Sequence, residues 1–449
     1  MSGSGLFRAA RWVIVALLFA VIFGVVVLDT ERGEGHFGGL GRAAVLAAET
    51  PWTVKKLLST KSPMAAMVRQ EFGGQSGWKV FDAAAGEGLG GYLLLSRYDG
   101  DRGRHVVELV SLPDLAVRHR WEPDAGTLLE GVPQTSPLGE YTLWNTQHYR
   151  AIHPLLFANG DLLMKDHQSV LFRISPCGDE IWRETSGLYH HSSEQDAEGM
   201  LWVPSYSEPS SVKGALPDLR DDLLVQLSPD GKILYSKSLI EAFTENGQFP
   251  VVFTAGTYQS DPLHLNDIQP VLSDGPYWKK GDLFLSLRHE SMLLLYRPST
   301  NEIVWSKVGP WMAQHDVDVL DDHRIAVFSN NSYDIGHGGY VRGHSQLMVY
   351  DFATGEVSTQ ADDTMARENV VTQSEGLADR TPDGHVIVEQ ENAGRLLILA
   401  PDGRIFATFV NAAGDGVVYR MGWSRYVPAA LGDQALQAMD AAPCGGPAS

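Results

Sequence analysis

Histidines recur at one position of a repeated pattern in this chain of 449 residues. Each precedes a short apolar stretch, and other polar side chains follow the next apolar stretch of the same repeat. The first group contains His153, His190, His191, His264 with Asn266, His315 with Asp316, and Glu375; the second contains His167, Tyr206, Arg288, His289, Asn330 and Gln390. Imidazole can act as a nucleophile, transfer a proton or bind a metal, and a guanidinium binds anions. Arg288 therefore favours an anionic ligand.

These histidines have two alternative interpretations, a structural role and a metal site. A single histidine at the start of a strand usually has a structural role, but repetition at equivalent positions favours a functional one. A zinc or copper site is the second alternative, because clustered histidines with Asp316 could ligate such an ion. Arg288 in the same group would repel a cation. The prediction is therefore a site with no metal and no cofactor.

The pattern that positions these residues occurs six times. The clearest copy is IHPLLFANGDLLMKDHQSVLFRISPCGDEIW, in which apolar stretches alternate with polar turns. The six units span roughly residues 90–123, 150–187, 188–243, 262–311, 312–359 and 372–411. Four short antiparallel strands per unit, each sheet covered by its neighbours, are typical of propeller blades. The sequence therefore predicts an all-β fold, a six-bladed β-propeller.

The repeat also predicts where the polar residues meet. The first two strands of a blade form a hairpin, so residues before the first strand and after the second lie at the same end. With the first strand innermost, all of them converge on one end of the central channel, called the mouth below. Two segments outside the units, Trp78–Phe81 and Tyr419–Val427, could each supply the strand that closes the ring, and the sequence does not choose between them.

The N-terminus predicts a membrane anchor. Trp12–Leu28 contains 17 apolar residues without a charge, which is at the short end of a bilayer span. Arg8 and Arg11 precede it and acidic residues follow, so the basic flank should stay in the cytoplasm while the rest of the chain is exported. We therefore expect a retained, single-pass signal anchor in the cytoplasmic (inner) membrane, with the propeller on the periplasmic or extracytoplasmic side.

The predicted organisation has four parts. They are a transmembrane anchor at 1–30, a membrane-proximal helical stalk at 31–88 with a helix-like run from Pro51 to Phe72, the propeller at 89–430, and a tail at 431–449. The 55 acidic against 35 basic residues give a net charge of -20, which argues against a nucleic-acid partner. The chain has two cysteines, Cys177 and Cys444, which excludes disulfide-rich and iron–sulfur scaffolds. The two can form at most one disulfide, and the sequence does not show whether they do.

The site residues resemble those of the bacterial arylsulfotransferases that need no nucleotide sulfate donor, a family of β-propellers. The similarity covers roughly residues 150–410, and its specific parts are His264-x-Asn266, the pair Arg288–His289 and the pair Gln314–His315. The resemblance implies that His315 is a nucleophile forming a sulfohistidine, with His264 and Arg288 as further catalytic groups. It also implies that Asn266 binds the substrate, and that either His190 or His191 does so. The match to the family motif does not distinguish between these two adjacent histidines.

Two hypotheses about function follow. The first is a membrane-anchored sulfotransferase that moves a sulfuryl group from a phenolic sulfate ester to a phenolic acceptor, with His289, Asn330 and Tyr206 as additional substrate-binding residues. The second is a non-catalytic, membrane-tethered propeller that docks onto a membrane or envelope complex, because a fold does not fix a function. Small-molecule substrates are the predicted partners in the first case, and a membrane-complex partner in the second.

Overall fold

The computed structural model describes residues 3–31, 35–58, 70–132, 138, 145–253, 256–336, 338–441 and 444. The chain divides into two units, one formed by Met1–Ser62 with Phe253–Gln259 and the other by Pro63–Val252 with Ser260–Ser449. The first unit contains the N-terminal helices, and the second contains the sheets.

Two helices form the described part of the N-terminal region. Helix α1 covers Gly3–Glu31, and its stretch Ala10–Thr30 is long and apolar enough to cross a membrane. This agrees with the predicted anchor. Helix α2 covers Gly38–Leu58, so it begins well before the predicted helical run. Of that run, residues 59–69 lie outside the described part of the chain, and Gln70–Phe72 form a 3-10 turn.

The second unit is the predicted six-bladed propeller. Its strands up to the third blade are β1 (Gly77–Val80), β2 (Tyr92–Asp99), β3 (Arg104–Ser111), β4 (Val117–Trp121), β5 (Leu155–Leu156), β6 (Leu162–Met164), β7 (Ser169–Ile174), β8 (Glu180–Tyr189), β9 (Glu194–Gln195), β10 (Leu201–Tyr206), β11 (Asp222–Leu227) and β12 (Ile233–Ser238). The remaining strands are β13 (Leu265–Pro270), β14 (Leu283–Leu287), β15 (Met292–Arg297), β16 (Glu302–Val308), β17 (Val317–Val319), β18 (Arg324–Ser329), β19 (Ser332–Asp334), β20 (Gly339–Val341), β21 (Gln346–Asp351), β22 (Val357–Gln360), β23 (Leu377–Arg380), β24 (Val386–Gln390), β25 (Arg395–Leu399), β26 (Ile405–Val410) and β27 (Arg425–Val427).

Each blade is an antiparallel sheet, and in blades 2 to 5 the strands follow chain order. Blade 1 contains β2–β4, blade 2 β5–β8, blade 3 β9–β12, blade 4 β13–β16, blade 5 β17, β18, β21 and β22, and blade 6 β23–β26, while β19 and β20 form a separate hairpin. The middle strands are covered on both faces, and β14 and β25 are therefore buried throughout and mainly apolar. The outermost strand β16 instead alternates between exposed and half-buried residues, as expected for one solvated face.

Both segments that could close the ring take part in blades. Strand β27 pairs with β2 as the first strand of blade 1, with Arg425 opposite Leu94. Strand β1 pairs with β26 as a fifth, outer strand of blade 6, with Gly77 opposite Val410. The propeller therefore begins before the predicted boundary at residue 89, because strand β1 belongs to a blade and not to the stalk.

The predicted C-terminal tail is largely helical. In its described residues the propeller unit has five helices, α3 (Ala125–Leu128), α4 (Leu239–Glu245), α5 (Phe249–Val252), α6 (Asp362–Arg367) and α7 (Ala429–Ala441), as well as 3-10 turns at Ala83–Gly86 and Glu391–Ala393. Helix α7 buries Ala435 and Met439 in a core cluster shared with blades 1 and 2. Beyond it, Cys444 forms a disulfide with Cys177 in the turn between β7 and β8.

Candidate active site

Five of the six blades place a residue with left-handed backbone just before or at the start of their first strand. They are His153 (φ 45°), His191 (φ 51°), His264 (φ 56°), Glu375 (φ 59°) and Trp423 (φ 61°). Side chains other than glycine rarely adopt this conformation, which costs on the order of 1–3 kcal/mol and is concentrated at functional sites. The recurrence of this strained backbone at equivalent positions favours the mouth as the candidate functional end of the propeller.

Four histidine rings and one indole lie together at the mouth. The ring centre of His191 lies 5.0 Å from that of His264, 4.8 Å from His167, 6.4 Å from His315 and 5.7 Å from Trp423. The indole also lies 5.6 Å from the ring of His315, edge to face. Blades 2, 3, 4 and 5 thus contribute one histidine each, and the closing segment contributes the tryptophan.

The structure distinguishes His190 from His191. His191 is the residue whose ring meets the other histidines, whereas His190 is fully buried and stacks on Tyr206 at 4.2 Å. The two Nδ1 atoms share a hydrogen bond of 2.8 Å, and Nε2 of His190 lies 3.5 Å from Asp222 Oδ1. Burial lowers the pKa of both rings well below the usual range. His190 therefore orients the ring of His191 through the Nδ1 hydrogen bond, and Tyr206 packs on the other side of His190.

His315 is held through both ring nitrogens. Its Nδ1–H donates to Asn330 Oδ1 at 2.7 Å, and its Nε2 accepts the backbone N–H of Glu375 at 2.9 Å. The Asn330 amide is oriented by donating Nδ2–H to Thr372 Oγ1 and to the Glu375 carbonyl, both at 2.8 Å. The tautomer with the proton on Nδ1 and the lone pair on Nε2 follows. Burial and the charge of Arg288 lower the pKa of His315 well below its usual value.

Arg288 follows strand β14 and lies close enough for its charge to act on His315. Its guanidinium has no hydrogen bond or ion pair with any residue in the described ranges, and its Nε is buried without a partner. The residue is half-buried, and the charges of Asp261 and Glu375 act on it only through space, so a bound anion would supply the direct partner that the guanidinium lacks. Its backbone N–H donates to the His264 carbonyl at 3.0 Å. The main chain of Arg288 is therefore held in place by a hydrogen bond, and its guanidinium can bind an anion.

Gln314 and Asn266 connect the elements that carry these groups. Gln314 donates its amide N–H groups to the carbonyls of Leu287 and Met292 at 3.0 and 2.9 Å, on either side of the turn that contains Arg288. Asn266 donates Nδ2–H to the Gln314 carbonyl at 2.8 Å, and its buried Oδ1 has no partner in the described chain. This chain of bonds links the start of blade 4, the arginine turn and the residue before His315.

His264 is paired with an acid. Its Nδ1 donates to Asp261 Oδ2 at 2.6 Å, and Arg220 contacts the same oxygen at 3.1 Å. Burial acts to raise the pKa of Asp261, but its interactions with His264, His289 and Arg220, including the hydrogen bond from His264, outweigh it, and the net pKa is lowered. His289 is exposed, its ring lies 4.5 Å from that of His264, and its Nδ1 donates to the Asp261 carbonyl at 2.6 Å. The ionised carboxylate fixes the proton of His264 on Nδ1.

A charged network lies behind the mouth. The repeat placed its members Glu375 and His167 at the mouth, but the sequence prediction did not include Arg150, Arg420 and Glu391. Glu375 accepts His167 Nε2–H and Arg150 Nη2–H, both at 2.8 Å, and also pairs with Arg420. Glu391 joins both arginines and is fully buried. The two arginines come from distant parts of the chain and meet the acids only when the ring closes, so their spacing gave no signal. The network anchors the main chain that contacts Nε2 of His315.

Three groups of acidic and histidine side chains in the described residues are close enough to share a metal ion. They are Asp261 with His264 and His289, Asp321 with Asp322 and His323, and Asp316 with Asp318 and Asp379. In the first group Arg220 already occupies Asp261, and the second group is on the outside of blade 5. The arrangement at the mouth instead combines a free guanidinium with neutral imidazoles, which suits an anion.

Comparison with known proteins gives one family match and several distant structural similarities. The sequence profile of the arylsulfotransferase (ASST) family matches residues 153–412. No curated protein matches the chain. Among solved structures, the chain is similar to a Bacteroides caccae protein of unknown function, with 10% sequence identity and a TM-score of 0.46. The alignment covers 74% of this chain and 98% of that chain. The WD40 β-propeller domain of Doa1 has 11% identity, coverages of 77% and 97%, and a TM-score of 0.39. Virginiamycin B lyase from Staphylococcus aureus has 10% identity, coverages of 74% and 87%, and a TM-score of 0.37.

Proposed function

The chain belongs to the arylsulfotransferase family, and from that membership we propose that it moves a sulfuryl group from a phenolic sulfate ester to a phenolic acceptor through a covalent adduct on His315. The observation that carries the proposal is Arg288, a guanidinium without a partner in the described chain beside neutral histidine rings. A sulfuryl group in transfer has three oxygens that carry negative charge. A fixed guanidinium and imidazole N–H groups stabilise such charge without reorganising during the reaction.

In the first half-reaction the aryl sulfate binds with its oxygens at Arg288 and His191. Nε2 of His315 leaves the Glu375 amide and attacks sulfur, the bond from sulfur to the aryl oxygen breaks, and its electron pair leaves with the phenolate. The adduct retains the proton on Nδ1, and its positive charge is stabilised by Asn330 Oδ1. Asn330 and Asn266 are thus positioning residues in this mechanism, since their amide N–H groups bind the main chain.

His264 and Asp261 are the proposed proton-transfer pair. With Nδ1–H bound to the carboxylate, the other ring nitrogen faces the mouth, where a protonated ring donates to the departing phenolate. In the second half-reaction the neutral ring accepts the proton of the acceptor phenol as its oxygen attacks sulfur. The bond between nitrogen and sulfur breaks, and neutral His315 is restored. One proton and one sulfuryl group are therefore exchanged per cycle.

We propose that α1 anchors the protein in the cytoplasmic membrane and that the propeller lies outside the cytoplasm. The basic residues before the apolar stretch support this orientation, because such residues stay on the cytoplasmic side. The disulfide between Cys177 and Cys444 supports it independently, since disulfides persist in oxidising compartments. The substrates on this proposal are phenolic esters and phenols outside the cytoplasm.

Steady-state kinetics with nitrophenyl sulfate and a phenol acceptor test the transfer. The covalent route predicts parallel double-reciprocal lines and, without acceptor, a nitrophenol burst equal to the enzyme concentration. Intersecting lines without a burst would indicate direct transfer in a ternary complex. An absence of nitrophenol release from the folded protein with several aryl sulfates would instead favour the non-catalytic docking function.

A further inference from the structure

Three carboxylates approach one another in the channel below the mouth. Asp316 precedes β17, Asp318 lies within it, and Asp379 lies in β23 of the next blade. One oxygen from each lies within 4.8 Å of those of the other two. Asp316 is only 9% exposed, its Oδ2 has no hydrogen-bond partner in the described chain, and the other two residues are half-buried. We call these three residues the carboxylate cluster.

The unpartnered oxygen of Asp316 is the indication of a ligand. Its Oδ2 is buried with no donor in the part of the chain that the structure describes, so it pays its desolvation cost without compensation. A fourth carboxylate, Asp267 of blade 4, lies beside the cluster: it is 2% exposed, and its Oδ2 accepts the backbone N–H of Val317 at 3.0 Å, between Asp316 and Asp318. The Ser192 hydroxyl also donates to the Asp267 carboxylate, whose negative charge acts on both Asp316 and Asp318.

No cation in the described chain forms an ion pair with the carboxylate cluster. The charge of Arg425 acts on Asp316 and Asp379 through space, but its guanidinium Nη2 is bound by Glu194, His153 and the Ser193 carbonyl. Lys165 is fully buried and donates to the carbonyls of Ile152 and His191 and to Ser193 Oγ. A cation in direct contact with the three carboxylates would therefore stabilise the cluster.

We propose that the carboxylate cluster binds one hard divalent cation of the Ca²⁺ type in the propeller channel. Ca²⁺ prefers six to eight oxygen ligands at about 2.3–2.6 Å in irregular geometry, which matches three carboxylates whose oxygens lie within 4.8 Å of one another, with solvent completing the shell. The half-buried Asp318 and Asp379 leave a route for the ion from the channel. The absence of sulfur and imidazole ligands disfavours zinc and copper.

Such an ion connects blades 5 and 6 directly beneath the mouth. Asp316 follows His315 in blade 5, Asp379 belongs to blade 6, and Asp267 of blade 4 binds the main chain between Asp316 and Asp318. Its primary effect is on the stability of the ring, whether or not sulfuryl transfer occurs. Ca²⁺ binding that favours the native state raises the melting temperature with increasing free ion.

The test uses the purified full chain in detergent, stripped with EDTA and dialysed. Isothermal titration with CaCl₂ should give one site per chain, and the Tm should rise by several degrees with saturating CaCl₂. Asp318→Asn should lose the calorimetric signal and the Ca²⁺-dependent rise in Tm, while its Tm in EDTA should equal or exceed that of the unmodified protein because repulsion is reduced.

Asp322→Asn is the matched control, because it removes the same charge from the exposed group Asp321–Asp322–His323 in blade 5. This variant should retain the full Ca²⁺ response. The proposal is overturned if the unmodified protein binds no Ca²⁺, if it responds to MgCl₂ alone, or if Asp318→Asn and Asp322→Asn respond equally. The titration of the unmodified protein decides the question even if Asp318→Asn fails to fold.

Discussion

The backbone N–H of Glu375 donates to Nε2 of His315 at 2.9 Å, across the boundary between blades 5 and 6. Glu375 holds this position in a left-handed conformation, and its side chain is fixed by Arg150, Arg420 and His167. The same residue therefore couples the charged network to the lone pair of the proposed nucleophile. Since Asn330 binds the opposite nitrogen, the ring has one tautomer and one orientation before substrate arrives.

Arg288 should stabilise the negative charge on the sulfuryl oxygens in the transition state. Arg288→Gln is expected to lower kcat/KM for nitrophenyl sulfate by about 10²–10³-fold, which is typical for loss of one preorganised group that stabilises developing charge. Arg288→Lys should recover only part of this loss, because a lysine cannot bind two oxygens with a planar fork. Initial rates with both variants provide the measurement. The exposed Arg342→Gln is the control, and equal losses in Arg342→Gln and Arg288→Gln would contradict the assignment.

Asn330 should act through the orientation of His315. Asn330→Ala removes the acceptor of Nδ1–H, and we expect kcat to fall by about 10²-fold with a smaller change in KM, since the wrong tautomer is inactive. Asn331→Ala is a close control, because its amide binds the His344 carbonyl and Gln346 and not the nucleophile. A larger effect at Asn331, or an effect of Asn330→Ala on KM alone, would argue against the positioning role.

The pH dependence of adduct formation should reflect the lowered pKa of His315. The neutral ring is the nucleophile, so the acid limb of the rate follows the pKa of His315 in the folded protein, which burial and Arg288 place well below the usual value of about 6.5. Pre-steady-state bursts from roughly pH 4.5 to roughly pH 8 should therefore show no loss of rate on acidification through about 6.5. Arg288→Gln should move the acid limb to higher pH. An acid limb centred near the reference value in the unmodified protein would show that the ring is not buried when it reacts.

The disulfide should stabilise the propeller and report its compartment. Cys177 and Cys444 close a loop with a sequence separation of 267, and Cys177→Ser should lower the free energy of unfolding by about 2–5 kcal/mol. Denaturation with and without dithiothreitol measures this loss, and the double serine variant should match the single one. Alkylation before lysis should find both thiols oxidised in the full chain and reduced when residues 1–30 are removed. Reduced thiols in the full chain would contradict export.

The sequence predicted the fold because each blade repeats its own apolar and turn signals. Turns such as Asn159-Gly160 and Asp402-Gly403 place glycine at φ 83° and 81°, as the hairpins require. It did not predict ring closure, since Arg425–Val427 and Gly77–Val80 are both short strands without a complete repeat. In the structure both segments form strands of the neighbouring first and last blades: β27 pairs with β2 in blade 1, and β1 pairs with β26 in blade 6.

The site was predictable only where residues keep their place in the repeat. His264, Arg288 and His315 do so, and the structure brings them together at the mouth. The choice between His190 and His191 depended on which backbone is left-handed, which adjacent identical residues cannot reveal. Trp423 and Arg420 belong to the closing segment, and Arg150 lies just before a blade, so their contribution depended on long-range contacts that no local spacing encodes.

The most direct test of covalent transfer is the location of the sulfuryl group. The purified protein is incubated with nitrophenyl sulfate without acceptor, digested at neutral to alkaline pH, and mapped by mass spectrometry, with His315→Ala and the exposed His323→Ala treated in parallel. We predict an adduct on His315 that disappears when phenol is added, is retained in His323→Ala and is lost in His315→Ala. An adduct on His191 or His264, or rapid nitrophenol release with no adduct on any histidine, would contradict the proposed nucleophile.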